Sequence, residues 1–241
     1  MARYLDPTVD LTFKRVFGEH PDLLISFLNS LLPLEPGRMI ETIEYLPAGL
    51  PPDAKAGKNT TVEVLCKDNF QRKFIVEMQI WWSIEFRKRF LYDACEAYIR
   101  QSGKANIYMK PYPLYSLSIL YASFDNKTDD FYHHYQIANI DSENENTLSG
   151  IELVFVELNK FKPEKMPTVI EQRKVRDLAI LWLRFLSELG EDMNKLPEDM
   201  QKNEYIAKAA QLCEVGEYTP EELLQYENIK EILEFHEDLR N

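Results

Sequence analysis

The chain has 241 residues, of which 45% are hydrophobic and 12% aromatic, enough apolar material for one packed domain with an elaboration. Its net charge of −12 argues against nucleic-acid binding through total charge, but residues 186–241 alone carry 15 acidic and 5 basic residues, or −10 of that total. There is no apolar run of about eighteen residues, no apolar signal-peptide segment and no C-x-x-C pair, so we expect a cytoplasmic protein without a membrane span or a disulfide framework.

The first predicted elements are two helices followed by a strand. Residues 8–32 have helical apolar spacing, with Thr8 as the expected N-cap of the first helix and Pro21 opening the second. Residues 39–46 alternate between apolar and polar side chains, which predicts a strand. The prolines and glycines of residues 47–58 predict a loop.

A predicted β-hairpin is the most informative feature of the chain. Residues 60–66 and 72–79 are β-branched, alternating runs that flank a polar turn. If the turn centres near Phe70, Glu63 lies opposite Glu77, and such a pair of like charges calls for a counter-charge such as a divalent metal ion. A shift of one residue in the turn leaves instead two solvated glutamates on an open sheet face, and the sequence leaves both registers open.

The rest of the chain predicts a mixed α/β fold with a helical end. The order of helix, three strands, helix and strand with a central hairpin is typical of mixed rather than regular doubly wound sheets. The remaining predicted elements are a helix at 83–102, strands at 114–121, 131–140 and 151–158, and helices from about residue 173, at 201–213 and at 220–239.

The predicted αβββαβ order, with acidic residues on its second and third strands, resembles the core of the PD-(D/E)XK nuclease fold. The segments DPTVDLTFKRVFGE, VEVLCKD, FIVEMQ, RKRFLYDACEAYIRQ and FVELNKF resemble more narrowly the PD-(D/E)XK nuclease family transposases, or Rpn-type recombination-promoting nucleases. The resemblance implies a restriction-endonuclease-like core with a mixed central sheet. We expect a nuclease-like domain over 1–165 and an acidic helical region over 166–241, whose helices are candidates for a homo-oligomer contact.

The same resemblance implies metal-dependent cleavage of DNA phosphodiesters, with Mg²⁺ or Mn²⁺ as cofactor and transposition or recombination as setting. Glu77 matches the acidic residue of the E-x-K step, and Gln79, two residues on, leaves the same strand face. Most of the superfamily has lysine at the Gln79 position, where this subfamily commonly has glutamine. Glu63 stands where the family usually has aspartate. Asp10 and Lys14 match a D-x-x-F-K motif of the first helix.

Each of these residues has an assigned role on that pattern. Glu63 and Glu77 hold the metal, with Asp10 as a further ligand through water, and Gln79 orients the attacking water. Lys14 offsets the charge of the phosphate. The alternative for Asp10 is a residue that interacts with the helix dipole, and the alternative for Lys14 is an ordinary exposed lysine.

Three residues near the basic segment after the hairpin are expected to contact DNA. Arg87 and Arg89 are placed to bind its backbone, and Gln101 is placed to line the site. His133 and His134 are adjacent on a predicted strand and point to opposite faces, so they are not expected to share a metal.

A second interpretation keeps the fold without catalysis. Glutamate at position 63, glutamine at position 79 and the overall acidity are also expected of a catalytically decayed nuclease-fold module that binds DNA or a protein partner.

Overall fold

The computed structural model describes residues 4–46, 60–81, 90–101, 111–121, 123, 126–139 and 147–238, with the backbone alone at residues 60, 81, 147, 149 and 232–238. The predicted loop at 47–58 and residues 83–89 of the predicted third helix, with Arg87 and Arg89, lie outside the described residues. The strands are Ile40–Tyr45 (β1), Thr60–Asp68 (β2), Lys73–Trp81 (β3), Leu114–Leu120 (β4), Tyr132–Ala138 (β5) and Thr147–Glu157 (β6). The α-helices are Asp10–Phe13 (α1, continued by a π-helical turn over Lys14–Gly18), Pro21–Leu31 (α2), Phe90–Arg100 (α3), Thr168–Gln172 (α4), Arg176–Glu188 (α5), Glu198–Lys202 (α6), Glu204–Leu212 (α7) and Pro220–Asp238 (α8).

The six strands form one mixed sheet in the order β1-β2-β3-β4-β6-β5. β1 runs antiparallel to β2, β3 and β4 are parallel, β4 and β6 are parallel, and β5 runs antiparallel to β6. The parallel step from β3 to β4 needs a crossover, and α3 lies in that connection. The sheet and the helix–strand order confirm the predicted mixed α/β class with its αβββαβ core.

The two faces of β3 explain where the candidate site lies. Residues two apart share a face, so Ile75 and Glu77 point to one side and Val76 and Met78 to the other. Ile75 packs with Leu114 of β4 and with α3, which offers two fully buried small residues, Ala94 and Ala97. All seven residues of β4 are buried, as expected for a strand covered on both faces.

A ring cluster forms the core of the helical part of the chain. Trp182 of α5 has its ring centroid 5.6 Å from that of Phe17 and 5.5 Å from those of Phe27 and Phe185. Its indole N–H donates a 3.1 Å hydrogen bond to the Ser26 hydroxyl. The periodic apolar residues predicted for the first two helices therefore meet those of α5 in one core.

Two local predictions about the helices are wrong. Thr8 is not the N-cap of α1, because that position belongs to Val9, while the Thr8 hydroxyl donates to the side chain of Asp6. The helix predicted at 201–213 corresponds to α7, which begins only at Glu204, because Asn203 is extended and its side chain accepts hydrogen bonds from the N–H groups of Tyr205 and Ile206. Residues 201 and 202 belong to the preceding helix, α6.

The chain divides into two compact units. One combines Met1–Leu31, Ala56–Thr60 and Lys162–Asn241, and the other holds Leu32–Lys55 and Thr61–Phe161. We call them the helical unit and the sheet unit. The division of function between 1–165 and 166–241 stays a prediction. Among the described helices, none has the length and apolarity needed to cross a membrane.

We predict that Trp182→Ala lowers the free energy of unfolding of the helical unit by about 3–5 kcal/mol, because it leaves a cavity inside the ring cluster. Urea unfolding of the full chain, followed by circular dichroism, measures the loss. Leu224→Ala is the control, since Leu224 is 65% exposed on α8 and its truncation should cost about 0.5 kcal/mol or less. Equal losses in the two variants would contradict the assignment of this core.

Candidate active site

The candidate site is built around Glu77, a buried carboxylate in the middle of β3. Only 3% of the residue is exposed, and its neighbours on the strand are apolar. Among the described residues, its Oε2 atom is buried and receives no hydrogen bond. A buried charge without a full set of donors is costly, so this position needs a cation, a proton or a ligand to stabilise it.

A second carboxylate lies on the neighbouring strand β2. The Glu63 side chain is 8% exposed, and its charge acts on Glu77. Glu63 Oε2 accepts a 2.7 Å hydrogen bond from Nη2 of Arg100, at the end of α3. The interpretation of Glu63 as a freely solvated glutamate is therefore wrong, because the side chain is largely buried and paired.

Burial and charge together raise the pKa of Glu77 to about 8. Desolvation is the largest cause, and the Glu63 carboxylate raises the pKa further. The Arg100 guanidinium acts in the opposite direction, Asp93 raises the pKa, and a hydrogen bond with the Gln79 side chain lowers it. Among the described groups that act on Glu77, the carboxylates therefore oppose its ionisation and the guanidinium of Arg100 favours it.

On the sheet face that carries Glu77, the neighbouring strand β4 has small polar side chains. The parallel register places Ser116 beside Glu77 and Ser118 beside Gln79. Both serines are buried, and Gln79 is also buried. The Glu-x-Gln step and the Ser-x-Ser step therefore form a polar island within an otherwise apolar sheet face.

Helix α3 supplies the charged residues above this island. Ala94 and Ala97 are small and buried against the sheet, so the helix axis can lie close to it. Asp93 and Arg100 are seven residues apart, about two helical turns, and thus share one side of α3. Close packing of the alanines explains how Arg100 reaches Glu63.

Three of the predicted site residues have other close partners. Lys14 Nζ lies 2.9 Å from Oδ1 of Asp10, four residues earlier in the helical unit. The Gln101 amide donates to the Tyr112 carbonyl at 3.1 Å and accepts from the Tyr112 N–H at 2.7 Å. Gln101 therefore anchors the backbone that enters β4. The assignment of all these residues to a site stays a prediction.

The two adjacent histidines face opposite sides of β5, as their spacing predicts. His133 Nε2 lies 2.8 Å from Oε1 of Glu157, and His134 Nε2 lies 2.8 Å from Oε2 of Glu152. The two pairs fasten the edge strand β5 to β6.

The carboxylates of Glu63 and Glu77 are the type of ligand that hard divalent cations take. Among the described residues, no cluster of three or more His, Cys, Asp or Glu side chains is arranged to hold a metal. A divalent ion such as Mg²⁺ keeps several waters and is commonly held by only one or two carboxylates, so the chemistry of Glu63 and Glu77 is compatible with such an ion. The Oε2 atom of Glu77, which lacks a donor, fits a cation better than it fits a packing role.

Two carboxylates on adjacent strands of an αβββαβ mixed sheet, with a Glu-x-Gln step on the second, define a protein of the PD-(D/E)XK nuclease fold. The family model for PD-(D/E)XK nuclease family transposases matches residues 7–236, nearly the whole chain, and the chain belongs to this family. Neither the curated proteins nor the solved structures give a match. Nucleases of this superfamily generally use divalent metal ions.

Sequence reasoning did not select four residues that contribute to this geometry. Ser116 and Ser118 carried a signal, since polar residues at period two inside an apolar strand match the period of Glu77 and Gln79. Arg100 and Asp93 carried little signal in the sequence, because many charged residues of α3 are simply exposed.

We predict that Glu77→Gln stabilises the protein in EDTA, and more strongly as the pH rises. The folded-state pKa of Glu77, about 8, lies above its ordinary value of 4.5, so the folded protein loses stability as the pH rises through this range. Glutamine removes that loss, and the gain at pH 8.5 should be on the order of 2–4 kcal/mol. Chemical unfolding at pH 5 and pH 8.5 measures it. The control is Glu41→Gln, an exposed glutamate on β1, and a gain that does not grow with pH would contradict the buried charge.

Proposed function

We propose that the protein is a metal-dependent DNA endonuclease that hydrolyses phosphodiester bonds. The observation that carries the proposal is the buried Glu77 carboxylate, with an oxygen that accepts no hydrogen bond within the described structure, next to Glu63. Membership in the PD-(D/E)XK nuclease family transposases supports DNA as substrate and transposition or recombination as setting.

In this proposal Glu63 and Glu77 hold Mg²⁺ or Mn²⁺. When bound, such an ion polarises the scissile phosphate and lowers the pKa of a water molecule. Asp10 is a further candidate ligand through water, and Lys14 a candidate partner for phosphate charge.

The protein's own groups would position the reactants. The Gln79 amide is neutral, so its role is to orient the attacking water by hydrogen bonding rather than to remove its proton. Ser116 beside Glu77 and Ser118 beside Gln79 add hydroxyl groups without filling the space that larger side chains would occupy. Arg87 and Arg89 are proposed to bind the DNA backbone. Gln101 is proposed to line the site through the segment that it anchors.

One observation favours a second candidate function. The Arg100 guanidinium already neutralises Glu63, at 2.7 Å, which is the arrangement expected if the pair has become purely structural. The chain would then be a nuclease-fold module that binds DNA or a protein partner without cutting. Metal binding distinguishes the two functions.

We predict that plasmid DNA is cut in the presence of Mg²⁺ or Mn²⁺ and that Glu77→Ala reduces the cleavage rate at least about 100-fold. Loss of the metal removes several kcal/mol of charge stabilisation from the transition state. Agarose-gel assays with EDTA and Glu41→Ala as controls measure the effect. A Glu77→Ala protein that cuts at the wild-type rate would exclude Glu77 from the site.

We also predict that the divalent ion stabilises the folded protein. At a concentration 100 times its dissociation constant, a ligand bound by the folded state alone contributes about 2.7 kcal/mol. Thermal unfolding with and without Mn²⁺ measures the shift, and the double variant Glu63→Gln/Glu77→Gln should lose it. Wild-type protein that is folded, gains no stability and cuts no DNA would favour the binding module.

A further inference from the structure

We propose that Arg100 is a resident counter-cation, which occupies Glu63 in the metal-free protein and which a divalent ion must displace. The inference rests on the proposed metal site and assigns to α3 a role in setting its affinity. Arg100 is in this sense a positioning residue, since it acts through Glu63.

The ion pair is closer and better shielded than an ordinary surface pair. Nη2 of Arg100 lies 2.7 Å from Oε2 of Glu63, whose side chain is 8% exposed. A second carboxylate that Arg100 pairs with is that of Glu96, one helical turn earlier, at 3.9 Å from Nη1 and 49% exposed. The shorter, charge-assisted contact to the buried partner is the stronger of the two, so Glu63 determines where the guanidinium points.

The charges around Arg100 give the pair a function. Glu63 and Asp93 both raise the pKa of Glu77, and Arg100 lowers it, so its positive charge reaches the second carboxylate as well. Without a cation the two strands would hold like charges side by side, which destabilises the sheet. In the metal-free protein Arg100 thus supplies positive charge to both carboxylates.

The same arrangement opposes metal binding. A carboxylate oxygen that accepts a bond from a guanidinium is not fully available to an incoming ion, and the guanidinium charge repels a second cation at short range. The Arg100 side chain is 36% exposed, so it can turn outward when it is displaced. The prediction is therefore a competition in which Arg100 lowers the affinity for the divalent ion.

The test is the binding of Mn²⁺ to the full chain at pH 8.5, measured from the electron paramagnetic resonance signal of free Mn²⁺, with no DNA present. Arg100→Gln should bind Mn²⁺ about ten-fold more tightly than the wild type and should show a lower thermal midpoint in EDTA. Arg38→Gln is the matched control, because Arg38 also pairs with a buried carboxylate of the sheet unit, Asp68 at 3.0 Å. It should leave the Mn²⁺ affinity unchanged.

The outcomes separate the two proposals. Mn²⁺ affinity that is equal or weaker in Arg100→Gln, with normal wild-type binding, overturns the competition and leaves the metal site standing. No binding by either protein overturns both. If Arg100→Gln binds Mn²⁺ and the wild type does not, Arg100 prevents metal binding in the wild type, which supports the competition. If Arg100→Gln does not fold, Arg100→Met replaces it, because methionine keeps the aliphatic stem. Arg100→Met is expected to show the same increase in Mn²⁺ affinity. An Arg100→Met protein without this increase would equally overturn the inference.

Discussion

The burial of the Glu77 carboxylate in the middle of β3 is the constraint on which the candidate site depends. A strand with sheet on both sides offers few donors to a side chain, because its backbone groups are used in the ladder. Among the described residues, a hydrogen bond with the Gln79 side chain and the positive charge of Arg100 favour the ionised carboxylate. Natural proteins keep such costly groups mainly where function requires them.

Small residues of β4 and α3 surround the Glu77 carboxylate. Serines occupy the two β4 positions beside Glu77 and Gln79, where β-branched residues would be usual in a central strand. Alanines occupy the α3 positions that face the sheet, so the helix comes close enough for its charged residues to act on the carboxylates. The polar island is thus formed by β3 and β4 together, and α3 adds the charged residues above it.

The sequence predicted the elements of this site better than their contacts. The hairpin was predictable because β-branched alternation and a polar turn are local signals. β2 contains the first predicted run, and β3 contains the second except for Arg72. The partner of Glu63 was not predictable, because it depends on the rotation of α3 about its axis. That rotation is set by contacts of Ala94 and Ala97 with Ile75 and Leu114, residues far apart in the chain.

The helical unit gives a second example of the same limit. Arg15 of the N-terminal segment lies 4.0 Å from the centre of the Tyr218 ring and 3.0 Å from the Glu222 carboxylate. The hydroxyl of Tyr226 accepts a hydrogen bond from the backbone N–H of Asp6. Periodicity identified helices at both ends of the chain, but no local signal indicated that they pack together. Within the helical unit, the acidic C-terminal helices therefore contact the N-terminal segment.

The departures from the usual superfamily pattern have a common electrostatic consequence. Lysine at the position of Gln79 would place a positive charge on the same strand face as Glu77, and the amide removes that charge while keeping a hydrogen bond. Among the side chains described, the cation that acts on Glu77 is Arg100, which comes from α3 rather than from the strand. Glutamate at 63 is longer than aspartate by one methylene, which extends its carboxylate toward a partner on the helix. The pattern of Glu63, Gln79 and Arg100 is therefore coherent, because a positive charge absent from the strand is supplied by the helix that covers it.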